Sequence, residues 1–287
     1  MIEVVRPGLL TTVQDLGRRG YAHLGVPRSG ALDPPALVAA NRLVGNADGD
    51  AALETTLTGV SVRAELPTVC AVTGARAEVR VAGEPVPMNT AVEVPAGALV
   101  EVGPARSGVR SYVAFAGGIT VAPVLGSRST DTLSGLGPPP LRAGFVLPLG
   151  RSTSKAPPPP ATEPPPAGAD DADELRLRLR LGPRHDWFSV TARDLLFAEP
   201  YRISVKGNRI GARLDGPVLS RAVGTELPSE GIVLGAVQVP ADGTPLVFLA
   251  DHPTTGGYPV IGVVDAADLP RLAQARPGTV IRFDAWT

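Results

Sequence analysis

The chain is short of several things at once, and each shortage excludes a class of protein. It has a single cysteine, Cys70. No internal disulfide can form, which fits a reducing compartment. Charge is sparse and balanced, with 27 Lys+Arg against 28 Asp+Glu. That balance supplies no basic field for nucleic acid or an anionic membrane surface. No uninterrupted apolar run reaches about 18 residues, so no membrane span is expected. The opening stretch, Met-Ile-Glu-Val-Val-Arg-Pro, has no basic region leading into an apolar one and does not read as a signal peptide. The expectation is a soluble cytoplasmic protein.

What the chain does hold is glycine and proline, 33 and 31 among 287 residues, beside a hydrophobic fraction of 44%. The apolar fraction excludes a disordered chain, and no glycine period of three exists, which excludes collagen. Glycine costs about 1 kcal/mol and proline about 3 kcal/mol inside a helix, which argues against a helical bundle. A loop-punctuated, mostly β protein with a few short helices remains.

One segment stands apart. Seven of the eleven residues from 156 to 166 are proline. The stretch 151–174 buries too little apolar surface to offset its ordering entropy and reads as an extended, polyproline-like linker. Docking of a proline-binding module is the rarer use of such a segment. The linker divides the chain into a part at 1–150 and a part at 175–287, each of domain size.

In the first part the best helix is Asp33 to Val44. Asp33 can cap it, Pro34 and Pro35 suit its first turn, and Gly45-Asn46 stops it. The period then changes. Thr68–Thr73, Ala77–Ala82, Ala91–Val94 and Val109–Phe115 are short, often alternating runs separated by Gly or Pro, as in an antiparallel barrel or sandwich. In the second part, Leu175 to Leu181 alternates Leu and Arg, with Leu inward. Tyr201–Val205 alternates likewise. Ala236–Val239 and Pro245–Ala250 flank Ala241-Asp242-Gly243, a hairpin signal. Short helices are expected over Thr191–Leu196 and near Ala266–Ala275.

Familiar catalytic motifs are missing. There is no G-x-S-x-G, no P-loop, no H-E-x-x-H and no G-x-G-x-x-G. His23, His185 and His252 share no metal-ligand spacing, and no metal site is expected. Several polar, glycine-rich strings remain. Ala250-Asp-His-Pro-Thr-Thr-Gly-Gly-Tyr-Pro259 can present Thr hydroxyls and backbone donors to an anionic or carbonyl oxygen. It also reads as a hairpin loop in which Asp251 and the Thr pair bond their own backbone. Leu227–Pro240 carries Glu230, a possible acid, base or anchor for a ligand amide. It also carries Gln238, which faces either a site or solvent, the alternation slightly favouring solvent. Arg209 and Arg213 lie four apart with forks suited to carboxylates, although structural salt bridges are the commoner use of arginine. Gly25–Asp33 and Leu125–Asp131 each place Arg, Ser and Asp in a loop. These strings nominate Glu230 and Asp251 as catalytic carboxylates. They nominate Ser29, Arg128, Ser129, Arg209, Arg213, Ser229, Gln238, Thr254, Thr255, Gly256, Gly257 and Tyr258 as a substrate-binding set.

Taken in order, the strings resemble one family. Thr12-Val-Gln-Asp-Leu-Gly-Arg18, Gly25-Val-Pro-Arg-Ser-Gly30, Ala40-Asn-Arg-Leu-Val-Gly-Asn46 and Gly126-Ser-Arg-Ser-Thr130 are similar to its first half. Ser229-Glu-Gly-Ile232, Gly235-Ala-Val-Gln-Val-Pro240 and Thr254-Thr-Gly-Gly-Tyr-Pro259 are similar to its second. The family is that of the 5-oxoprolinase C component, also called KipI-antagonist, allophanate hydrolase subunit 2 or biotin-dependent carboxyltransferase-like. The resemblance runs from residue 2 to about residue 283. It implies two cyclophilin-like β-barrel subdomains. It implies a heteromeric complex with a KipI-like protein, the B component of 5-oxoprolinase, and with the A component. It implies ATP-dependent opening of 5-oxoproline to glutamate, with ATP used by the complex and not necessarily bound by this chain. Related modules transfer carboxyl from biotin to urea, so a carboxyltransferase-like protein working on urea or allophanate is the alternative. A regulatory protein that antagonises a KipI-like kinase inhibitor is a third reading. One departure stands out: the resemblance implies Gln just before Thr254, and Pro253 stands there.

Overall fold

A computed structural model describes residues 1–151 and 174–286. All of the proline-rich linker except its two end positions therefore lies outside the described residues. The described chain divides into two compact units. One holds residues 1–18 and 29–151, the other residues 19–28 and 174–286. The segment Arg19–Arg28, early in the sequence, thus belongs with the second unit.

The first unit contains β1 (Ile2–Arg6), β2 (Leu10–Gln14), α1 (Pro34–Leu43), β3 (Ala52–Thr56), β4 (Val60–Ala64), β5 (Thr68–Arg76), β6 (Val79–Val81), β7 (Glu84–Val86), β8 (Val92–Val94), β9 (Leu99–Val102), β10 (Ser107–Phe115) and β11 (Val146–Leu147). The strands form a six-stranded sheet, ordered β11-β1-β4-β9-β6-β7, and a five-stranded sheet, ordered β2-β3-β10-β5-β8. One apolar core joins them, with Ile2, Val62 and Val100 from the first and Leu53, Val72 and Phe115 from the second. The five-stranded sheet buries its other face under α1, where Tyr112 and Ala114 meet Leu37 and Ala40. Strand β10 is therefore buried along its whole length. Its apolar residues face both layers, which weakens the alternation that a one-sided strand would show. The α1 helix starts as expected: Asp33 accepts a bond from the Ala36 amide, and the two prolines occupy the first turn.

The second unit contains β12 (Glu174–Leu181), α2 (Val190–Ala198), β13 (Tyr201–Ile203), β14 (Gly211–Asp215), β15 (Glu230–Gly231), β16 (Ala236–Gln238), β17 (Leu246–Phe248), β18 (Thr255–Gly256), β19 (Val260–Val264), α3 (Leu269–Gln274) and β20 (Val280–Ala285). Seven strands close a barrel, β12-β19-β16-β17-β14-β13-β20, and β15 pairs with β18 as a separate ribbon. The Leu/Arg alternation of β12 is observed, with Leu175, Leu177 and Leu179 buried and the arginines outside. Leu181, at the strand end, is exposed. The expected hairpin joins β16 to β17, with Gly243 at φ 75 in the left-handed region that glycine tolerates. Strand β13 stops at Ile203, because a turn closed by the Gly207 amide on the Ser204 carbonyl leaves Val205 in solvent. The chain is thus mostly β with three short α-helices among the described residues.

Candidate functional site

In the second unit the β15/β18 ribbon brings two of the polar strings together. Glu230 pairs with Gly256 and Gly231 with Thr255, and the Ile232 amide continues the ladder to the Thr254 carbonyl. Gln238 is buried, not solvated as its position in the alternation suggested, and its Nε2 donates to the Tyr258 carbonyl at 3.0 Å. The bond removes the cost of burying an amide and ties the loop to the barrel wall. Gly256 fits tightly: a Cβ there would stand 2.5 Å from Ile232 Cδ1 and 2.9 Å from Gln238 Nε2. Tyr258 is exposed, and the Arg221 guanidinium lies 5.6 Å from its ring centroid. Ser229, Thr255 and Gly257 are also exposed, and Thr254 is half-buried. Gly25, from the early segment, approaches the same loop, since its Cβ position would lie 4.0 Å from Thr254 Oγ1.

The two candidate carboxylates have opposite surroundings. Glu230 is half-exposed and accepts both arms of the Arg184 fork, with Nε to Oε2 at 3.0 Å and Nη2 on Oε1. The hydrogen bonds from Arg184 hold the Glu230 carboxyl below the usual carboxylate range, and they raise the arginine in turn. Asp251 is 0% and Arg209 1% exposed, joined by two bonds at 2.9 and 3.0 Å. The Asp251 amide also donates to the Arg209 carbonyl. This pair anchors the root of the loop from inside, and its carboxylate oxygens face the guanidinium and not solvent. Beyond Asp251, His252 Nδ1 lies 2.7 Å from the Pro253 carbonyl oxygen. Arg213 is exposed on β14, and no hydrogen bond ties it to the ribbon among the described residues.

In the first unit, Ser29, Arg128 and Ser129 gather at another loop. The buried Asp15 is its hub. Asp15 Oδ1 accepts from the Gly17 amide at 2.7 Å, Ser127 Oγ at 2.7 Å and Ser129 Oγ at 2.5 Å, while Oδ2 accepts the Arg128 amide at 2.6 Å. Arg128 Nε donates to the Val121 carbonyl, and Ser29 Oγ donates to the Thr130 carbonyl at 3.0 Å. Ser29 takes φ 53, a conformation that serine adopts rarely.

A family model described as "Carboxyltransferase domain, subdomain A and B" matches residues 24–285. The chain belongs to this carboxyltransferase-domain family. It is 39% identical over 286 residues to the 5-oxoprolinase C component of Escherichia coli (strain K12), covering 99% of this chain and 90% of that protein. It is 35% identical to the "Urea amidolyase" of Saccharomyces cerevisiae (strain ATCC 204508 / S288c), covering 98% of this chain but 16% of that protein. The solved K. lactis urea amidolyase superposes with a TM-score of 0.89 at 31% identity, covering 100% of this chain and 19% of that one. The chain is therefore equivalent to nearly all of the bacterial relative and to a fraction of the fungal ones. The resemblance read from the sequence strings and the mostly β class are both borne out.

Three residues that complete the candidates in the two units were not legible as candidates in the sequence. Arg184 lies in Gly182-Pro-Arg-His-Asp-Trp187, just past a perfectly alternating strand, and only the fold carries it to Glu230. Arg221 has no local signal at all. Asp15 was visible inside a family string, but its burial under two serine hydroxyls is a tertiary fact. Among the described residues no group of three or more His, Cys, Asp or Glu is placed to hold a metal ion. No helix among them is long and apolar enough to cross a membrane.

Proposed function

We propose that this chain is the C component of an ATP-dependent 5-oxoprolinase. It acts in the cytoplasm with a KipI-like B component and an A component to open 5-oxo-L-proline to L-glutamate. The observation that carries the reading is the 39% identity to the Escherichia coli 5-oxoprolinase component over 90% of that protein's length. Opening a five-membered lactam is hydrolysis of a stable amide, so donors must hold its carbonyl oxygen and an acceptor must fix its nitrogen side. In this reading the exposed donors of Thr254–Tyr258 serve the carbonyl. Glu230, kept ionised by Arg184, anchors the amide N–H. A carboxylate held below its ordinary range is a weak base and a good hydrogen-bond acceptor, which favours anchoring over proton abstraction. Asp251 acts as a positioning residue through Arg209, because that pair is sealed from solvent and a ligand cannot reach its oxygens. ATP is used by the complex, with the phosphate contacts supplied by another of its proteins.

A second reading, a carboxyltransferase-like protein working with biotin on urea- or allophanate-type amides, is favoured by the fungal relatives named urea amidolyase. One assay separates the two. The isolated chain is expected to show no 5-oxoproline-dependent ATP hydrolysis, and mixing it with the A and B components should produce it. Turnover of urea or allophanate with 5-oxoproline left intact would replace the first reading by the second. Turnover by the isolated chain would remove the division of labour.

A further inference from the structure

Arg18 is the least explained charged group in the first unit. It is 2% exposed, yet it makes no ion pair among the described residues. Its Nη2 donates to the Ser129 carbonyl at 2.5 Å, its Nε reaches the Val124 carbonyl at 3.4 Å, and its Nη1 has no partner among them. Gly137, at φ 82, closes against it: a Cβ there would lie 2.1 Å from the Ser129 oxygen and 3.2 Å from Arg18 Nη2. The carboxylate nearest in sequence, Asp15, is committed to four other donors. A guanidinium out of water with only carbonyls for company is an unfavourable arrangement, and it becomes favourable when an anion arrives.

Two more buried polar atoms lack partners beside it. Gln14 grips the neighbouring carbonyl, with Nε2 on the Thr130 oxygen at 2.9 Å, and leaves its Oε1 unpaired. The Thr130 hydroxyl is unpaired as well. Arg18 and Gln14 thus hold consecutive peptide carbonyls, and their spare atoms are a cationic donor, an amide acceptor and a hydroxyl. We propose that Arg18, Gln14 and Thr130 form, within the first unit, a recognition site for a small carboxylate. The carboxylate takes Arg18 Nη1 and the Thr130 hydroxyl, and Gln14 Oε1 accepts from a donor on the same molecule. This carboxylate site does not depend on the 5-oxoprolinase reading or on the roles given there to Glu230 and Thr254–Tyr258.

The test uses the full chain, labelled with 15N, and three probes: 5-oxoproline, cyclopentanecarboxylate, which lacks the amide, and 2-pyrrolidinone, which lacks the carboxylate. Both carboxylates are expected to shift the Arg18 side-chain resonances, and 2-pyrrolidinone is not. Arg18→Lys keeps the charge without the fork and should weaken both carboxylates about tenfold or more. The proposal is overturned if neither carboxylate shifts Arg18, or if a folded Arg18→Met variant binds them undiminished. Should that variant fail to fold, the wild-type shifts decide. If cyclopentanecarboxylate binds through Arg18 while the assembled complex leaves 5-oxoproline intact, the pocket stands and the 5-oxoprolinase reading falls.

Discussion

Two arginine–carboxylate pairs in the second unit share one geometry and differ in solvent. Arg209–Asp251 is sealed, at 1% and 0% exposure, while the side chains of Arg184 and Glu230 are each about a third exposed. The fork of two nearly parallel bonds is the same in both. The difference teaches which carboxylate a ligand can reach. A sealed pair cannot exchange its partner without exposing a bare charge to the interior. A half-exposed pair can trade a bond with arginine for one with a ligand or water at small cost. Sequence spacing treated Glu230 and Asp251 as equals. Burial separates them into a group that a ligand can reach and a group that holds the loop.

The largest expected effect falls on the sealed pair. Arg209→Met takes the guanidinium away from the buried Asp251 carboxylate and should cost about 3–5 kcal/mol of stability, read by urea unfolding of the full chain. Asp251→Asn should also destabilise strongly, and the double variant Arg209→Met/Asp251→Leu should recover much of the loss, since a packed apolar pair is often neutral against an ion pair. A cost for Arg209→Met below about 1 kcal/mol would mean that water reaches the pair, and the contrast with Glu230 would dissolve.

The same contrast shows what the sequence could reveal. Period and punctuation were enough for α1, for β12 and for the β16–β17 hairpin, because each is a local pattern: a capped start with Pro34 and Pro35, a strict Leu/Arg alternation, a turn around Gly243. They were not enough for Gln238, whose burial depends on the Tyr258 carbonyl twenty residues away. Nor could they show that Arg19–Arg28 leaves the first unit for the second. Both halves were expected to be barrels. The second closes, whereas the first consists of two sheets over one core with a helix on the outer face. Closure depends on pairing between strands distant in sequence, such as the parallel β12–β20 contact, and no local window contains it. Two of the strings that carried the family resemblance meet in the β15/β18 ribbon. Their chemistry was hidden because each key residue is completed by a partner outside its own string: Arg184 for Glu230, Arg209 for Asp251, Asp15 for Ser129.

A smaller effect is expected at the open pair, and it should appear in turnover and not in folding. Glu230→Gln keeps the shape and removes the charge. It should lower the unfolding midpoint only slightly, as expected of a solvent-screened pair, and lower kcat/KM of the assembled complex roughly ten- to a hundredfold, the worth of one charged hydrogen bond. Loss of folding with turnover retained would reverse the roles assigned to the two carboxylates.

The smallest effect is the titration of Glu230 itself, and it sharpens the comparison most directly. Hydrogen bonds from Arg184 lower its pKa from the ordinary 4.5. A carboxylate depressed in the folded state contributes stability above its unfolded pKa, and that contribution is lost as pH falls through the lower, folded value. The Glu230–Arg184 link should therefore be intact throughout neutral and mildly acid solution and fail only below the ordinary glutamate range. An acid limb of activity near pH 5 or 6 would have to come from another group. In a 13C titration of the side-chain carboxyls, Glu230 should show a midpoint below the exposed glutamates, and Arg184→Met should bring it back toward them. A Glu230 midpoint unmoved by Arg184→Met would show that solvent, not arginine, sets the charge of the open pair. Glu230 would then be free to take up a proton near its ordinary range, and the anchoring role would lose its physical basis.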